Sequence, residues 1–399
     1  MPELYGLAGH CMMNQQPVPD YDDIRPYRDD EVATVIARLV DEGEFVDTLA
    51  RMKFARLSRW MPWLIRPLVH RTLRREFGHL QSVRELQTLI GGQLEKLLKR
   101  VASGVTVAGL DKLTADQSYL FIGNHRDIAM DPAMVDLALK GQGLDTTRIA
   151  IGDNLLTKPF TSDLMRLNKS FIVKRSIIGR KEKLAALKQL SAYIQHSLET
   201  DKQSVWIAQR EGRAKDGVDS TEAAVLKMLV LNKLREESFG EAFARLRVVP
   251  VAVSYEWDPL DEAKARELYA VQSQGSYVKG EHEDIDSIYR GVMGAKGHIA
   301  VVFGQQITEL FADADAAAAA IDEQIIKNYR LQATHLIAYE RIHGENAATA
   351  KWKQELGAVD WSARRAAMTA RILQAPDQHR DFMWAAYANP VRRRLGLAG

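Results

Sequence analysis

The sequence contains almost no cysteine and no long hydrophobic run. Cys11 is the single cysteine among 399 residues, which excludes an internal disulfide framework and a cysteine-rich metal site and favours a reducing compartment. No uncharged run approaches the roughly 18 residues that a membrane-spanning helix needs. The first residues also lack the basic and then apolar pattern of a secretory signal. We therefore expect a cytoplasmic protein that is either soluble or attached to a membrane surface.

Acidic residues are absent from residues 51–75, although the whole chain is nearly neutral with a net charge of +2. Tryptophans and leucines are interleaved there with basic residues at helical spacing, which is typical of a segment that lies on anionic lipid. A solvated helical hairpin and a single-stranded nucleic acid surface are the alternatives. Pro62 and Pro67 predict two short helices rather than one. The basic residues are Arg51, Lys53, Arg56, Arg59, Arg66, Arg71, Arg74 and Arg75.

Short strands alternate with helices from about residue 100 onwards. Their spacing predicts an α/β fold with a largely parallel or mixed sheet that is flanked by helices. The predicted strands are 105–107, 119–122, 148–151, 170–173, 204–208, 248–253 and 299–304, and the predicted helices between them are 132–139, 180–198 and 221–234.

Helical additions are predicted at both ends of this α/β region. The periodicity predicts helices at 30–46 and 82–101, a helix–loop–helix insertion over 260–296, and helix throughout after about residue 309. We therefore divide the chain into a helical N-terminal region (1–99), an α/β domain (100–308) and a helical C-terminal region (309–399).

The stretch from Phe121 to Pro132 carries the first chemical signal, because one histidine lies between two possible carboxylate partners. His125 follows a predicted strand, with Asp127 and Asp131 after it. Asp131 and Pro132 are typical of a helix N-cap and first helical position. On a continuous helix, six residues would separate His125 from Asp131 by about 240°. We therefore expect His125 in the preceding loop, as a general base that either aspartate orients.

Two further predicted strands bear on function, one through a lysine–arginine pair that follows it and the other through a proline within it. Lys174 and Arg175 follow the strand at 170–173, and a lysine–arginine pair suits a phosphorylated substrate, although such pairs are also common on solvated surfaces. Pro250 interrupts a buried strand. Because proline removes a ladder donor, we expect it at a sheet edge or a bulge.

The loop after the strand at 204–208 combines glycine with charged residues. Gly212 lets backbone N–H groups approach an anion closely. Arg213 and Lys215 follow it, and Glu211 precedes it. The segment is therefore either an anion-binding loop or an ordinary loop with surface ion pairs.

In this order and at these spacings, the four segments resemble the glycerol-3-phosphate and lysophosphatidic acid acyltransferase family. Two spacings depart from the family pattern. Five residues separate His125 from Asp131 where the family has four, and Arg213 follows Glu211 by two residues where the family usually has three. The matching segments are Asn124-His125-Arg126 through Asp131, Phe171 to Ser176, Glu211-Gly212-Arg213 and Val249-Pro250-Val251.

The resemblance implies transfer of a fatty acyl group from acyl-CoA or acyl carrier protein to glycerol-3-phosphate or lysophosphatidic acid. His125 would act as the base, and Asp131, favoured over Asp127 on the resemblance, would orient it. The residues implied in binding the acceptor phosphate are Lys174, Arg175, Glu211, Gly212, Arg213 and Lys215. No metal or redox cofactor is implied.

Because the implied substrates are lipids, we favour a membrane-binding role for residues 51–75 over binding of nucleic acid. The resemblance therefore predicts a peripheral protein on the cytoplasmic face of the membrane. Two other functions on the same fold are a non-catalytic lipid-binding protein and a hydrolase of acyl thioesters.

Overall fold

The computed structural model describes residues 20–280 and 283–397. Cys11 and the rest of residues 1–19, which the sequence assigned to the N-terminal region, lie outside the described residues, as do residues 398–399. The described N-terminal helices are α1 (Asp29–Asp41), α2 (Gly43–Lys53), α3 (Ala55–Trp60), α4 (Pro62–Phe77) and α5 (Val83–Val101).

A seven-stranded sheet and its helices follow. The strands are β1 (Ala102–Ala108), β2 (Leu120–Gly123), β3 (Arg148–Gly152), β4 (Ser170–Val173), β5 (Val205–Ala208), β6 (Val248–Tyr255) and β7 (Gly297–Phe303). The helices within this region are α6 (Met130–Gly141), α7 (Pro159–Leu167), α8 (Arg180–Glu199), α9 (Ala223–Leu229), α10 (Phe239–Ala244), α11 (Asp261–Gln274) and α12 (Glu283–Met293). The C-terminal helices are α13 (Ala314–Asn328), α14 (Ala333–His343), α15 (Ala347–Glu355), α16 (Trp361–Leu373) and α17 (Asp377–Arg394).

The strand order is β1-β7-β6-β2-β5-β3-β4. Strands β6, β2, β5, β3 and β4 are mutually parallel. Strand β7 is antiparallel to β6 and parallel to β1. The predicted fold class, a mixed sheet flanked by helices with helical additions at both ends, is confirmed.

Alternate residues of the strands bury opposite faces of the sheet. Leu120 and Ile122 of β2 pack in one apolar cluster with residues of α8, α9 and α13. Phe121 lies in a second cluster on the other face, with residues of α6 and β7. Burial on both faces explains why the central strands are almost continuously apolar.

The N-terminal helices form a third apolar cluster that includes residues of α7. Tyr27 and Arg38 both bond to the buried carboxylate of Asp163 in α7, so these helices are fixed against the sheet domain. The C-terminal helices form a fourth cluster around α14, α16 and α17.

Several helix boundaries differ from the prediction. The single helix predicted at 30–46 is two, because Glu42 has extended backbone angles between α1 and α2. Pro62 begins α4, as expected, but Pro67 lies inside that helix without ending it. The helix predicted at 221–234 ends at Leu229, and a turn follows it.

Pro250 lies on a central strand, so the expectation of an edge or bulge is wrong. Strand β6 is flanked by β2 and β7, and its ladder with β7 begins at Val251. Gly304, just beyond β7, donates its N–H to the Pro250 carbonyl at 2.8 Å. The proline is tolerated because it lies where the partner strand ends and no ladder donor is needed from it.

Candidate active site

The first and third predicted segments meet at the carboxyl ends of β2 and β5. Gln209 donates its backbone N–H to the Gly123 carbonyl, and Ala214 donates to the His125 carbonyl, both at 2.9 Å. Parallel strands end at the same edge of a sheet, which is where open α/β sheets place their sites. The loop of residues 209–217 is therefore fastened to the backbone of His125.

His125 and Asp131 are in direct contact. His125 Nδ1 lies 3.1 Å from Asp131 Oδ2. The aspartate side chain is fully buried, and the histidine side chain is 14% exposed. Of the two carboxylates that the sequence left open, the structure brings Asp131 to the imidazole.

Three donors hold the Asp131 carboxylate besides the imidazole. Oδ2 accepts the backbone N–H groups of Arg126 at 2.6 Å and Asp127 at 2.8 Å. Oδ1 accepts the Tyr255 hydroxyl at 2.8 Å. A carboxylate in its ionised form can only accept, so this contact suits the His125 tautomer that has its proton on Nδ1 and leaves Nε2 as the acceptor nitrogen.

Asp127 has a different task, at the start of α6. Its Oδ1 accepts the N–H groups of Ala129 at 3.0 Å and Met130 at 2.9 Å. Helix α6 begins at Met130, so the expectation that Asp131 is the N-cap residue is wrong, and Asp127 provides the capping carboxylate. Burial, followed by the nearby charge of Asp131, raises the pKa of Asp127.

Trp206 of β5 packs against the imidazole of His125. Its ring meets the His125 ring edge to face, with centroids 5.9 Å apart. A Cβ added at Gly123 would lie 2.9 Å from the indole Nε1. Glycine at position 123 therefore leaves the space that the indole occupies beside the histidine.

The second predicted segment reaches the third through an ion pair. Arg175 Nη1 lies 3.4 Å from Glu211 Oε1. Asp153, after β3, accepts the backbone N–H groups of Arg175 and Ser176 at 3.1 Å each. Lys174 is paired with Asp23 of the N-terminal region. The structure thus joins Arg175 to the 209–217 loop, while an acidic partner already neutralises Lys174.

In the third segment, the positive charge of Arg213 is less neutralised by acidic partners than that of Lys215. Lys215 is paired with Glu267 of α11 at 2.6 Å, whereas Arg213 Nη1 is buried and has no hydrogen-bond partner among the described residues. Gly212 has φ +73°, and an added Cβ would meet no described heavy atom within 4 Å. The left-handed backbone explains the glycine, and open space adjoins it.

Arg126, next to the histidine, links the site to the C-terminal helices. Its guanidinium donates to Asp219 Oδ2 at 2.6 Å and to the Gly217 carbonyl at 3.0 Å. It lies over the Tyr329 ring, 5.3 Å from the centroid. Arg393 of α17 donates to the Asp219 carbonyl at 3.0 Å. The C-terminal region therefore helps to fix the loop that carries His125.

Sequence reasoning missed Tyr255, Asp219 and Arg126 as parts of this site. One signal was available for Tyr255, because it ends the strand that contains the fourth segment. Asp219 lies only two residues beyond Gly217, so the third segment could have been extended to include it. The partner of Arg126 could not be predicted, since its aromatic contact comes from the C-terminal region.

A cavity lies elsewhere, at the opposite edge of the sheet. Its volume is about 520 Å³, and its lining includes Arg148, Lys169, His196 and Asp201. Arg148 and His196 both contact Asp201, and Lys169 contacts Asp145. Since the cations of this cavity are paired internally, we place the candidate site at His125, where the geometry favours it.

The described residues, 20–280 and 283–397, contain neither a cluster of metal ligands nor a membrane-spanning helix. No group of three or more His, Cys, Asp or Glu side chains there has an arrangement that would hold a metal ion. No helix in the same ranges is long and apolar enough to cross a membrane.

The sequence comparison decides the family of this region. Residues 104–254 match a family model described as Acyltransferase. These residues form an acyltransferase-family domain. The match contains β2 to β5, β6 as far as Ser254, and all four predicted segments. The predicted class of enzyme, an acyltransferase, is confirmed at this level, while the roles of individual residues stay predictions.

Two other comparisons add little to the acyltransferase assignment. The crystal structure of the 1-acyl-sn-glycerophosphate (LPA) acyltransferase PlsC from Thermotoga maritima is similar at 14% sequence identity, with a TM-score of 0.38. The similarity covers 70% of this chain and 91% of that one. No curated protein sequence matches the chain significantly.

Proposed function

We propose that this acyltransferase transfers a fatty acyl group from an acyl thioester, acyl-CoA or acyl carrier protein, to the hydroxyl of a glycerophosphate acceptor. The buried contact between His125 Nδ1 and Asp131 Oδ2 at 3.1 Å carries the proposal. It lies within an acyltransferase-family domain, at the edge of the sheet where such chemistry is placed.

His125 Nε2 takes the proton of the acceptor hydroxyl while the hydroxyl oxygen attacks the thioester carbonyl carbon. The tetrahedral intermediate then expels the thiolate as its C–S bond breaks, and the imidazolium returns the proton to sulfur. The products are an acyl ester and a free thiol. Asp131 stabilises the imidazolium and holds the ring in the tautomer that leaves Nε2 basic.

Arg213 and Arg175 are the cations that we assign to the acceptor phosphate. Arg213 adjoins Ala214, which bonds to the His125 carbonyl, and its Nη1 lacks a described partner. A planar guanidinium suits a phosphate. Lys174 and Lys215 contribute less, because their acidic partners lie closer to them than Glu211 lies to Arg175. Glu211 carries the wrong charge for direct contact with an anion.

Residues of α3 and α4 provide the membrane-docking surface. Trp60 is 83% exposed and Trp63 is 72% exposed, and Leu57, Leu64 and Leu68 are exposed beside them. Tryptophan among exposed leucines and arginines suits the interface of an anionic bilayer. This surface would let the protein take up a lipid substrate at the cytoplasmic face of the membrane.

The proposal is tested with purified protein, acyl-CoA, and either glycerol-3-phosphate or lysophosphatidic acid. A new acylated lipid that requires both substrates supports the transfer. His125→Ala should abolish it. His196→Ala is a matched control, since His196 Nε2 also lies near a carboxylate, Asp201 Oδ1 at 3.3 Å, but at the opposite edge of the sheet.

The rival functions give different products in the same assay. Release of free thiol without a new lipid would identify a thioester hydrolase. Binding of lipid without turnover would identify a non-catalytic binding protein. If His125→Ala and His196→Ala retained equal activity, His125 would not be the base.

A further inference from the structure

Lys264 of α11 is a buried lysine in the predicted insertion, outside the four segments that resemble the family. The residue is 4% exposed. Its Nζ donates to the Arg126 carbonyl at 2.7 Å and to Asp258 Oδ2 at 2.5 Å. A buried ammonium requires such partners. One of its two acceptors is therefore the backbone of the loop between His125 and Asp131.

The carbonyl that Lys264 contacts belongs to the peptide group joining Arg126 to Asp127. The N–H of the same peptide group donates to Asp131 Oδ2 at 2.8 Å. That oxygen also faces His125 Nδ1 at 3.1 Å. Lys264, one peptide unit, Asp131 and His125 thus form a continuous chain of hydrogen bonds.

Each bond in such a chain polarises the next. A positive charge at the carbonyl oxygen draws electron density away from the peptide nitrogen, so the N–H becomes a stronger donor. Charge-assisted hydrogen bonds are also shorter and stronger than neutral ones. The ammonium of Lys264 therefore strengthens the bond that orients the Asp131 carboxylate toward His125.

We propose that Lys264 is a positioning residue of the acyl transfer reaction, acting through the Arg126–Asp127 peptide group on Asp131 and then on His125. It touches neither substrate nor the reacting atoms. The inference rests on the proposed function, because it assigns Lys264 to the same His125–Asp131 pair.

Replacement by methionine removes the donor while keeping the unbranched shape of the side chain and all but one atom of its length. We expect Lys264→Met to lower kcat about tenfold, the scale of one weakened bond in a polar network. The KM for the acceptor should not change, since Lys264 does not contact the predicted phosphate cations. The fall in kcat should also be accompanied by a shift of the His125 Nδ1 proton resonance, which reports its bond to Asp131.

Two further variants separate positioning from stability. Arg371→Met, on α16, removes an ion pair at 2.6 Å with Asp261, which lies on α11 with Lys264. It also removes a bond to the Asp258 backbone carbonyl at 2.8 Å, but it leaves the Asp258 carboxylate and the 126–127 peptide group untouched. It should destabilise the protein while leaving kcat and the His125 resonance near their original values. Lys264→Met combined with Asp258→Asn removes the partly buried carboxylate that Lys264→Met alone leaves without its lysine partner, and its kcat should stay low.

Three outcomes would overturn the inference. They are an unchanged His125 resonance in Lys264→Met, a kcat restored by the added Asp258→Asn substitution, or an equal loss of kcat in Arg371→Met. Any of these combined with an inactive His125→Ala variant would reject the role of Lys264 alone. Retained activity in His125→Ala would instead reject the proposed function.

Discussion

Replacing Asp131 by asparagine tests the central pair with little change in shape. The asparagine oxygen can occupy the position of Oδ2 and still accept the N–H groups of Arg126 and Asp127. Its amide nitrogen can then donate to the Tyr255 hydroxyl, which both donates and accepts. The substitution therefore removes mainly the negative charge beside His125.

The expected loss of kcat in Asp131→Asn follows from the distance between the imidazolium and the carboxylate. Two unit charges 3.1 Å apart, at an effective dielectric constant of about 20, attract by roughly 5 kcal/mol. In the proposed mechanism, this attraction stabilises the imidazolium that forms in the transition state. Because about 1.4 kcal/mol corresponds to a factor of ten in rate, the charge accounts for at most about 10³–10⁴ in kcat. Screening by nearby donors reduces it, so we expect a loss of about 10³.

Asp127→Asn is the matched comparison, because it changes the same charge two residues from the histidine. Asparagine is as good an N-cap residue as aspartate, and within residues 20–280 and 283–397 the Asp127 side chain accepts hydrogen bonds from Ala129 and Met130. We expect kcat to stay within about threefold and the stability of α6 to change by less than about 1 kcal/mol. Steady-state acyl transfer and thermal unfolding of both variants measure this. Equal losses of kcat, or a larger one in Asp127→Asn, would refute the reasoning.

Three more predictions follow from single features. Replacing Trp60 and Trp63 together by alanine should weaken binding to anionic vesicles at least tenfold in a sedimentation assay. Both indoles are exposed, so the variant loses the apolar surface that would be buried in the bilayer. Arg213→Ala should raise the acceptor KM more than Lys174→Ala, because Lys174 is already paired with Asp23, and steady-state kinetics measure the difference. His335 is buried, which lowers its pKa from 6.5 to about 3. The buried neutral His335 therefore costs no stability above pH 6.5. Below that pH the histidine of the unfolded chain takes up a proton and the folded one does not, so the free energy of unfolding falls by up to about 1.4 kcal/mol per pH unit until the pH reaches about 3. His335→Asn should flatten that decline in denaturant titrations.

Each of these has a control or a contrary result. Leu373→Ala removes an exposed apolar side chain of α16 and should not affect vesicle binding. Equal KM values for Arg213→Ala and Lys174→Ala would remove Arg213 as the main phosphate ligand. An unaltered acid limb in His335→Asn would show that another group causes the loss of stability.

Local patterns in the sequence were sufficient for the sheet and the order of its chemical segments. Strands of four to eight apolar residues can be recognised by composition, and the residues that follow them lie at one edge when the strands are parallel. His125, Lys174 and Gly212 were identified in this way. The helix break at Glu42 was missed because its backbone angles have no strong compositional signal.

Contacts between distant residues depended on the tertiary structure. The choice between Asp127 and Asp131 required the fold of one short loop, which turns so that Asp131 reaches back to His125. Tyr255 reaches Asp131 across 124 residues, and Lys264 reaches Arg126 across 138.

No periodicity in the sequence encodes such distances, because only the packing of the strands and of α11 brings these groups together. The sequence by itself thus determined where the candidate site lies. The tertiary structure decided which groups position His125 and Asp131. A buried charge needs hydrogen-bond partners, and only the folded chain determines which residues lie close enough to provide them.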